Sequence, residues 1–356
     1  MFNKLTVLVC LKDRVDFTKR LCNYLSVINY PFLVYFADGS VGNENQEHFQ
    51  SITSKNQLSF NYTYKRYPPD LLLLNYYQKC YQALCEVKTP YVMFADNDDF
   101  PVLEGQLKAI QFLDSNLDFV GCNGRVAGVT LYPDASISYG KNFLLHKCYC
   151  RTMDIPVKLN HELAADRICS YLNNFYSVFY SLFRVESLIY THSKIQELNF
   201  SDLGIHELFF SYMQLAQGKI YSIDSITYVR QKGSSQAADS QKDWFYRLFY
   251  TSWLEDSKKA IKMVADYIAK IEKTNSDNIY ESLYNQFFIK MKSRYILNNF
   301  YLLTNFNSLF TAMPSILLNI VFRKIPMLTE NFSLKMFSDS HCIASLNSIK
   351  NAIIKK

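Results

Sequence analysis

Strand-like runs alternate with helix-spaced apolar positions along the first hundred residues. Residues 5–11 (LTVLVCL) form a continuous run of strand-forming residues, which is typical of a strand covered on both faces. In the next segment, 15–29, apolar residues recur at helical spacing until Pro31 ends the pattern, so we predict a helix there. A second apolar run, 32–37, predicts the next strand.

The alternation continues to residue 100. Residues 58–65 predict a third, weaker strand. After Pro69, apolar residues share one face of a predicted helix: Leu74, Tyr77, Tyr81 and Leu84. The run 91–95 (YVMFA) predicts another buried strand. A chain that alternates strands and helices in this way indicates an α/β fold, in which a parallel sheet is joined by right-handed crossovers.

The rest of the chain changes from mixed to helical character. Between 101 and 235 we expect a helix over 101–116, an initial helix in 161–188, and strands over 118–126, 176–183 and 219–229. Leu208, Tyr212 and Leu215 recur at helical spacing and predict a further helix that stops at Gly218. The polar segment 230–241 predicts a loop, and from 242 onward the pattern is helical and rich in aromatic residues. Pro314 interrupts the most apolar tail segment, 309–326, so we expect an interfacial amphipathic helix or a core helix there and not a membrane span.

Polar clusters follow three of the predicted strands. They are Lys12-Asp13-Arg14, Asp38-Gly39-Ser40 and Asp96-Asn97-Asp98-Asp99. In an open parallel sheet, ligands bind outside the carboxyl ends of the strands. If these strands are neighbours, the three clusters converge on one edge of the sheet. Arg230 and Lys232 fall in the polar loop after the last predicted strand, where we expect them to close over a diphosphate.

The last of these clusters places three carboxylates within four residues. Such groups repel one another and raise each other's pKa unless a cation compensates them. Mg²⁺ and Mn²⁺ take carboxylate oxygens together with substrate phosphates, so the pattern favours a metal–diphosphate site. If the backbone stays extended, Asp96 and Asp98 point to the same side, and Asp99 is an alternative ligand where the chain turns. The other interpretation is an acidic loop that caps the helix beginning near Leu103.

These segments resemble the GT-A glycosyltransferases of the large inverting family 2. The opening LTVLVCLKDRVDFTKRLCNYL is similar to the first strand and helix of that family, and FLVYFADGS resembles its second strand. TPYVMFADNDDF resembles the Asp-x-Asp strand, and GIHELFFSYMQLAQGKIYSID resembles the segment that carries the catalytic base. The resemblance covers about residues 3–235 and implies a GT-A domain followed by a mainly helical C-terminal region.

The resemblance also implies roles for individual residues. Asp38 would contact the uracil or ribose of the donor, with Asp13 or Arg14 near it, and Asp96 would contact the ribose or a metal-bound water. Asp98 would be the principal ligand of Mn²⁺ or Mg²⁺, and Asp99 would lie close to the donor sugar. Glu207 occupies the position of the catalytic base. The family more often has Glu-Asp where this chain has His206-Glu207, so Asp202 and His206 stay as rivals for that role.

Charge is distributed unevenly along the chain. Residues 241–356 contain 16 lysines and arginines against 9 aspartates and glutamates, whereas the preceding residues contain 22 against 23. A basic C-terminal region suggests an anionic partner. Because it shows no nucleic-acid motif, we expect an anionic membrane surface and no nucleic acid. The scattered cysteines, among which only Cys148 and Cys150 are close in sequence, indicate reduced thiols in a cytoplasmic protein. We predict two domains, 1–235 and 236–356.

The sequence thus leads to a functional hypothesis with two alternatives. We expect a metal-dependent enzyme that transfers a sugar from a nucleotide-diphosphate donor, with a UDP-sugar favoured, to a glycan or lipid-linked acceptor. Its expected setting is cell-surface polysaccharide synthesis at the inner face of the cytoplasmic membrane. The first alternative is a non-catalytic nucleotide-sugar-binding protein. The second is a sugar nucleotidyltransferase, which the absence of glycine from LKDRVDF disfavours.

Overall fold

The protein has an α/β fold built on one mixed sheet. The computed structural model describes residues 3–55, 57–130, 149–150, 159–173, 178–232, 247, 250–291 and 348–349. The strands within these ranges are β1 Leu5–Leu11, β2 Leu33–Asp38, β3 Tyr62–Arg66, β4 Tyr91–Ala95, β5 Phe100–Pro101, β6 Phe119–Thr130, β7 Tyr149–Cys150, β8 Leu182–Arg184 and β9 Lys219–Lys232. The helices are α1 Val15–Val27, α2 Glu44–Lys55, α3 Leu73–Glu86, α4 Leu103–Ser115, α5 Ala164–Asn173, α6 Val185–Leu198, α7 Leu203–Gln217, α8 Thr251–Glu272 and α9, 276–291.

The first four strands form the parallel half of the sheet. The strand order is β3-β2-β1-β4-β8-β6-β9-β5, with β7 added to β6. Strand β1 lies between β2 and β4 and is parallel to both, with Val7 opposite Val34 on one side and Met93 on the other. Strand β8 then runs antiparallel to β4 and β6. The predicted parallel arrangement is therefore confirmed for the strands whose ends carry the polar clusters.

Apolar residues of β1 alternate between the two faces of the sheet. Leu8 packs on one face with residues of α3, α6 and α7, and Val7 and Val9 pack on the other face with residues of α1, α2 and α4. Side chains of successive strand residues point to opposite faces, and here both faces are covered, so every second position has to be apolar on each side. This explains the continuous strand-forming run that the sequence shows.

Several helices differ from the sequence prediction. Helix α2 was not predicted because it is mostly polar, with Asn45, Phe49 and Ile52 as its buried residues. Helix α6 was not predicted either, because it begins at Val185, directly after a strand that is shorter and later than the expected 176–183. Of that expected strand, residues 176 and 177 lie outside the described residues.

The buried face of α3 is also shifted from the predicted one. Tyr77 and Leu84 are buried as expected, together with Lys79, Cys80 and Ala83. Tyr81 is only half-buried. The buried face is therefore rotated from the predicted one and includes the charged side chain of Lys79.

Helices of the C-terminal region share the core of the sheet domain. Trp253 and Ile261 of α8 and Phe287 of α9 belong to the same apolar cluster as Phe209 of α7. The expected α/β class with a helical C-terminal region is confirmed. The expected segment 309–326 lies outside the described residues, and the domain limits 1–235 and 236–356 stay a prediction. In the ranges described, no helix combines the length and apolarity needed to cross a bilayer.

Candidate active site

The polar ends of β1, β2 and β4 meet at one edge of the sheet, as predicted. The backbone N–H of Asp13 donates to Ser40 Oγ at 2.7 Å, and Arg14 Nη2 donates to Asp98 Oδ2 at 2.8 Å. Asp13 and Arg14 both have positive φ angles, 55° and 58°, which turn the chain sharply after β1. The Asp13 carboxylate accepts from the N–H of Val41, so the first two clusters form one interlinked surface.

The three carboxylates of the third cluster point toward one another. The chain turns after β4, where the N–H of Asp99 donates to the carbonyl of Asp96 at 3.3 Å. This turn brings one oxygen from each of Asp96, Asp98 and Asp99 within 4.8 Å of the others. Asp98 and Asp99 are buried. The turn therefore brings Asp99 into the same group as the other two, where an extended backbone would have paired only Asp96 with Asp98.

Burial and mutual repulsion disfavour the ionised form of this cluster. Burial, together with the charge of Asp98, raises the pKa of Asp96. Burial also raises the pKa of Asp99 well above its ordinary value, and the charges of Asp98 and Asp96 raise it further. Partial compensation comes from Arg14, on Asp98, and from Arg230, whose Nε lies 3.8 Å from Asp99 Oδ2. A cation among the three oxygens would favour the ionised form.

The three residues fit a divalent cation. Mg²⁺ binds oxygen at about 2.1 Å, so two oxygens on opposite sides of the ion lie about 4.2 Å apart. Adjacent oxygens of the same ion lie about 3.0 Å apart. One oxygen of each of the three carboxylates lies within 4.8 Å of the others, so the three occupy a space of the size that one such ion needs. Hard oxygen ligands of this kind suit Mg²⁺ or Mn²⁺ better than a soft transition metal.

Two tyrosines that the sequence did not single out hold Asp96. Tyr180 donates its hydroxyl to Asp96 Oδ2 at 2.6 Å, and the hydroxyl of Tyr228 accepts from the Asp96 N–H at 2.9 Å. The two rings are stacked, with centroids 4.5 Å apart. The guanidinium of Arg230 lies 5.0 Å from the centre of the Tyr180 ring. Asp96 is thereby fixed through both its backbone and its carboxylate.

Arg230 lies on a strand and not in a loop, which corrects the sequence prediction. Strand β9 continues to Lys232 because it pairs with β6 along nearly its whole length, with Arg230 opposite Gly128. The next residue, Gln231, donates its backbone N–H to Asp99 Oδ1 at 2.8 Å. A paired strand therefore positions Arg230 beside Asp99, and the contact of Arg230 and Lys232 with a diphosphate stays a prediction. Of the predicted loop, 233–241 lie outside the described residues.

Asp38 is directed into the protein. Its side chain is fully buried and accepts from Ser40 through Oδ1, and from Tyr64 and Arg66 through Oδ2, at 2.6 and 2.9 Å. The cavity described below is lined by neither Asp38 nor Asp13. The structure therefore places Asp38 below the surface, whereas Asp13 is half-exposed but outside the cavity. Their contact with a nucleotide stays a prediction.

A buried ion pair that the sequence analysis missed lies next to the first two clusters. Lys79 Nζ contacts Asp70 Oδ2, and it also donates to the carbonyl of Leu11 at 2.9 Å. Lys12 Nζ donates to the carbonyl of Asp70 at 2.8 Å. A Cβ atom on Gly39 would lie 2.4 Å from the Asp70 carboxylate, so only glycine allows this approach. The signal in the sequence was a lysine on the buried face of a helix.

These groups line one cavity of about 420 Å³. Its polar lining includes Lys12, Arg14, Asp70, Lys79, Asp96, Asp98 and Arg230. Its apolar lining includes Leu73, Tyr76, Phe179 and Leu203, and helix α7 contributes His206 and Glu207. Charged groups of both signs, together with aromatic and apolar surface, make a site for a ligand that is partly anionic.

The cavity separates the three rivals for the catalytic base. Asp202 caps α7, accepting from the N–H of Gly204 at 2.7 Å, and it also accepts from Arg247 at 2.9 Å. Burial lowers the pKa of His206 to about 4, so its imidazole is neutral near pH 7. Glu207 is half-buried and lines the cavity. Of the three, Glu207 best combines access to the cavity with an ionisable oxygen.

The sequence matches no protein-family profile and no curated protein. The structure is similar to crystal structures of S. aureus TarS. For TarS 1–349 in complex with UDP-GlcNAc, the identity is 16%, the TM-score is 0.49, and the match covers 80% of this chain and 72% of that one. For TarS 1–349 in complex with UDP, the identity is 16% and the TM-score is 0.48, with the same coverage of both chains. A longer TarS chain is 43% covered at a TM-score of 0.47. This similarity concerns the course of the backbone, and we assign no residue's role from it.

Proposed function

We propose that the protein is a glycosyltransferase that moves a sugar from a nucleotide-diphosphate donor, with a UDP-sugar favoured, to a hydroxyl group of an acceptor. The observation that carries this proposal is the cluster of Asp96, Asp98 and Asp99, of which Asp96 and Asp98 line a cavity that Arg14 and Glu207 also line. A sugar nucleotide requires groups that neutralise a diphosphate and a base that faces the acceptor. The cavity supplies candidates for both.

Asp96, Asp98 and Asp99 would hold Mn²⁺ or Mg²⁺ in this site. When bound, the ion neutralises charge that develops on the leaving diphosphate. Arg230 would contribute positive charge at the same end of the cavity, where Lys12 and Lys79 add two ammonium groups around Asp70. Because these groups are anchored to β1, α3 and β9, little reorganisation is needed as charge develops during the reaction.

Glu207 is the proposed catalytic base. Its carboxylate would accept the proton of the acceptor hydroxyl as the oxygen attacks the anomeric carbon and the bond to the diphosphate breaks. A single displacement of this kind inverts the anomeric centre, as the resemblance to family 2 implies. The aromatic and apolar wall formed by Tyr76, Phe179 and Leu203 would accommodate the acceptor beside this carboxylate.

The acceptor class and cellular setting follow from the same proposal. We infer a glycan or lipid-linked acceptor, a role in cell-surface polysaccharide synthesis, and peripheral attachment of the basic C-terminal region to the inner face of the cytoplasmic membrane. The attachment is tested by sedimentation with anionic phosphatidylglycerol liposomes. We expect binding that decreases as salt increases, and the absence of binding at low salt would contradict it.

Donor binding is tested by thermal unfolding in the presence of nucleotide sugars, with and without Mn²⁺. We expect a UDP-sugar to raise the melting temperature when Mn²⁺ is present, because a ligand that binds only the folded state stabilises it. Asp98→Asn should remove the shift. Asp114→Asn is the control, because Asp114 is a partly exposed carboxylate that pairs with Lys4 away from the cavity. A shift that survives Asp98→Asn would contradict the metal assignment.

Turnover distinguishes the enzyme from a nucleotide-sugar-binding protein. Glu207→Gln should retain the Mn²⁺-dependent thermal shift and lower the rate of donor consumption by about 10²–10⁴-fold, as expected for loss of a general base. Glu186→Gln is the control, because Glu186 is likewise a glutamate near the start of a helix but is exposed and outside the cavity. Binding without any Glu207-dependent turnover would favour the non-catalytic alternative.

A further inference from the structure

Two thiols lie side by side beneath the candidate active site. Cys10 is on β1 and Cys80 is on α3, seventy residues later in the chain, and their sulfur atoms are 3.6 Å apart. A disulfide has an S–S length of about 2.05 Å, so closing this pair needs a movement of about 1.5 Å. Adjustment of two side chains and a slight approach of α3 to the sheet would supply it.

The two thiols differ in access, as the partners of a redox pair usually do. Cys10 is partly exposed and lines the cavity, so a small oxidant that enters the cavity reaches its sulfur. Cys80 is fully buried behind it, and burial raises the pKa of its thiol well above the ordinary value. Oxidation-sensitive cysteines are commonly accessible and lie next to a second thiol that completes the disulfide.

A buried ammonium group lies close to the two thiols. Lys79 interacts electrostatically with Cys10 and Cys80 as well as with Asp70. The same lysine donates to the carbonyl of Leu11, the residue after Cys10, so the charge is held close to this end of β1.

We propose that Cys10 and Cys80 form a site of oxidative modification, in which hydrogen peroxide converts the two thiols into a disulfide. The Cys10 thiolate sulfur attacks one peroxide oxygen, the O–O bond breaks, and the departing hydroxide takes up a proton to leave as water. The sulfur of Cys80 then attacks the resulting sulfenic sulfur of Cys10. The S–O bond breaks, and hydroxide leaves with the Cys80 proton as a second water. The two sulfurs lose two electrons in total, and the peroxide gains them.

The disulfide would couple oxidation to the cavity. It joins β1 to α3 at the position where Lys12, two residues after Cys10, and Lys79, adjacent to Cys80, both contact Asp70. A closer approach of the two elements would displace these cavity-lining groups. The consequence for ligands rests on the proposed function, since it assumes that this end of the cavity binds a nucleotide diphosphate.

The modification is tested first on the full chain without any nucleotide. The reduced protein is treated with hydrogen peroxide, denatured, alkylated with N-ethylmaleimide and weighed by mass spectrometry. We expect the loss of two hydrogens, two fewer maleimide additions, and a linked peptide pair that contains Cys10 and Cys80. Cys10→Ser and Cys80→Ser should each abolish this link. Cys85→Ser should retain it, because Cys85 is an exposed thiol on the same helix.

The second measurement is the thermal shift that UDP and Mn²⁺ cause before and after oxidation. We expect a smaller shift in the oxidised wild-type protein, recovery with dithiothreitol, and no effect of peroxide on the shift of Cys80→Ser. A reduced protein that shows no shift contradicts the proposed function and leaves the chemical result intact. If no Cys10–Cys80 peptide pair forms, the proposed modification is wrong, whatever the thermal shift shows.

Discussion

Asp38 ends β2, and the Asp96–Asp99 cluster directly follows β4 in the same sheet. Their carboxylates nevertheless make opposite kinds of contact. Asp38 is fully buried, and its two carboxylate oxygens accept hydrogen bonds from the nearby residues Ser40, Tyr64 and Arg66. In the cluster, the carboxylates of Asp96, Asp98 and Asp99 lie close to one another, and Asp96 and Asp98 line the cavity. The sequence pattern is similar at the two places, since each is an apolar strand that ends in aspartate.

The carboxylate of Asp38 organises a loop, whereas the carboxylates of Asp96, Asp98 and Asp99 are arranged to bind a ligand. A buried carboxylate with several donors is stabilised within the protein and loses stability when it is removed. Buried carboxylates that face one another repel, and this repulsion is relieved when a cation binds. The first arrangement contributes to the fold, whereas the second opposes it and indicates function.

Removal of Asp98 should have the largest effect on metal binding. We expect Asp98→Asn to weaken Mn²⁺ binding by about 100-fold or more. Mutation of groups that only support metal ligands weakens metal binding by up to about 100-fold, and Asp98 is itself a proposed ligand. The free energy of unfolding should change by less than about 1 kcal/mol, because relief of repulsion offsets the lost contact with Arg14. Electron paramagnetic resonance of free Mn²⁺ and urea unfolding measure the two quantities. A large loss in the free energy of unfolding would contradict this prediction and would show that Asp98, like Asp38, stabilises the fold.

Asp38→Ala should give the opposite result. We expect a loss of about 3 kcal/mol in the free energy of unfolding, because Arg66 and Tyr64 lose a buried acceptor. Mn²⁺ affinity should not change in the folded fraction. Asp16→Ala is the control, since its exposed pair with Lys19 should contribute no more than about 0.5 kcal/mol. If Asp38→Ala spares stability and weakens nucleotide binding, the contrast drawn above does not hold.

The stability contribution and the Mn²⁺ affinity of the Asp96–Asp99 cluster should both depend on pH. The raised pKa values of Asp96 and Asp99 mean that the metal-free folded protein keeps protons that the unfolded chain releases above about pH 3.9. The cluster's contribution to stability is therefore present at low pH and is lost as the pH rises through the native pKa values. Mn²⁺ competes with these protons, so its affinity should rise by up to about tenfold per pH unit in that range. Calorimetric titration with Mn²⁺ at several pH values measures it, and a flat profile would contradict the shifted pKa values.

The smallest expected effect belongs to the hydroxyl group of Tyr180. Tyr180→Phe removes a hydrogen bond to Asp96 and keeps the ring stacked on Tyr228. We expect Mn²⁺ to bind about fivefold more weakly, which corresponds to about 1 kcal/mol for one hydrogen bond. Tyr190→Phe, at an exposed position, should have no effect. Equal affinities in the two variants would show that Asp96 does not depend on Tyr180.

The sequence predicted the parts of the structure that depend on local pattern. Strand β1 has the predicted bounds, Leu5–Leu11, because both faces of that strand are covered and its run of strand-forming residues is continuous. The convergence of the polar clusters also followed, because it needs only parallel neighbouring strands. The roles assigned to Glu207 and to the other site residues remain predictions.

The parts that could not be predicted depend on contacts between distant segments. Tyr180 and Tyr228 reach Asp96 across 84 and 132 residues, through the positions of β8 and β9. No local pattern indicates which tyrosine of so many meets a carboxylate. For Asp38 a signal was present in the sequence. Tyr64 and Arg66 are two residues apart on β3, so their side chains share one face of the sheet, and Arg66 lies opposite Asp38 of β2. It became readable only once the register of β2 and β3 was known.

The packing of α8 on α7 has a consequence for attempts to divide the protein. Asp256 of α8 accepts from Ser201, directly before the capping residue Asp202, and Trp253 lies in the apolar cluster that contains Phe209. A chain shortened at residue 235 would leave this side of α7 in water and its first turn without these supports. Since Glu207 follows directly on that first turn, the helices beyond the sheet support the position of its acidic side chain. We therefore expect a shortened protein to bind its donor better than it turns it over.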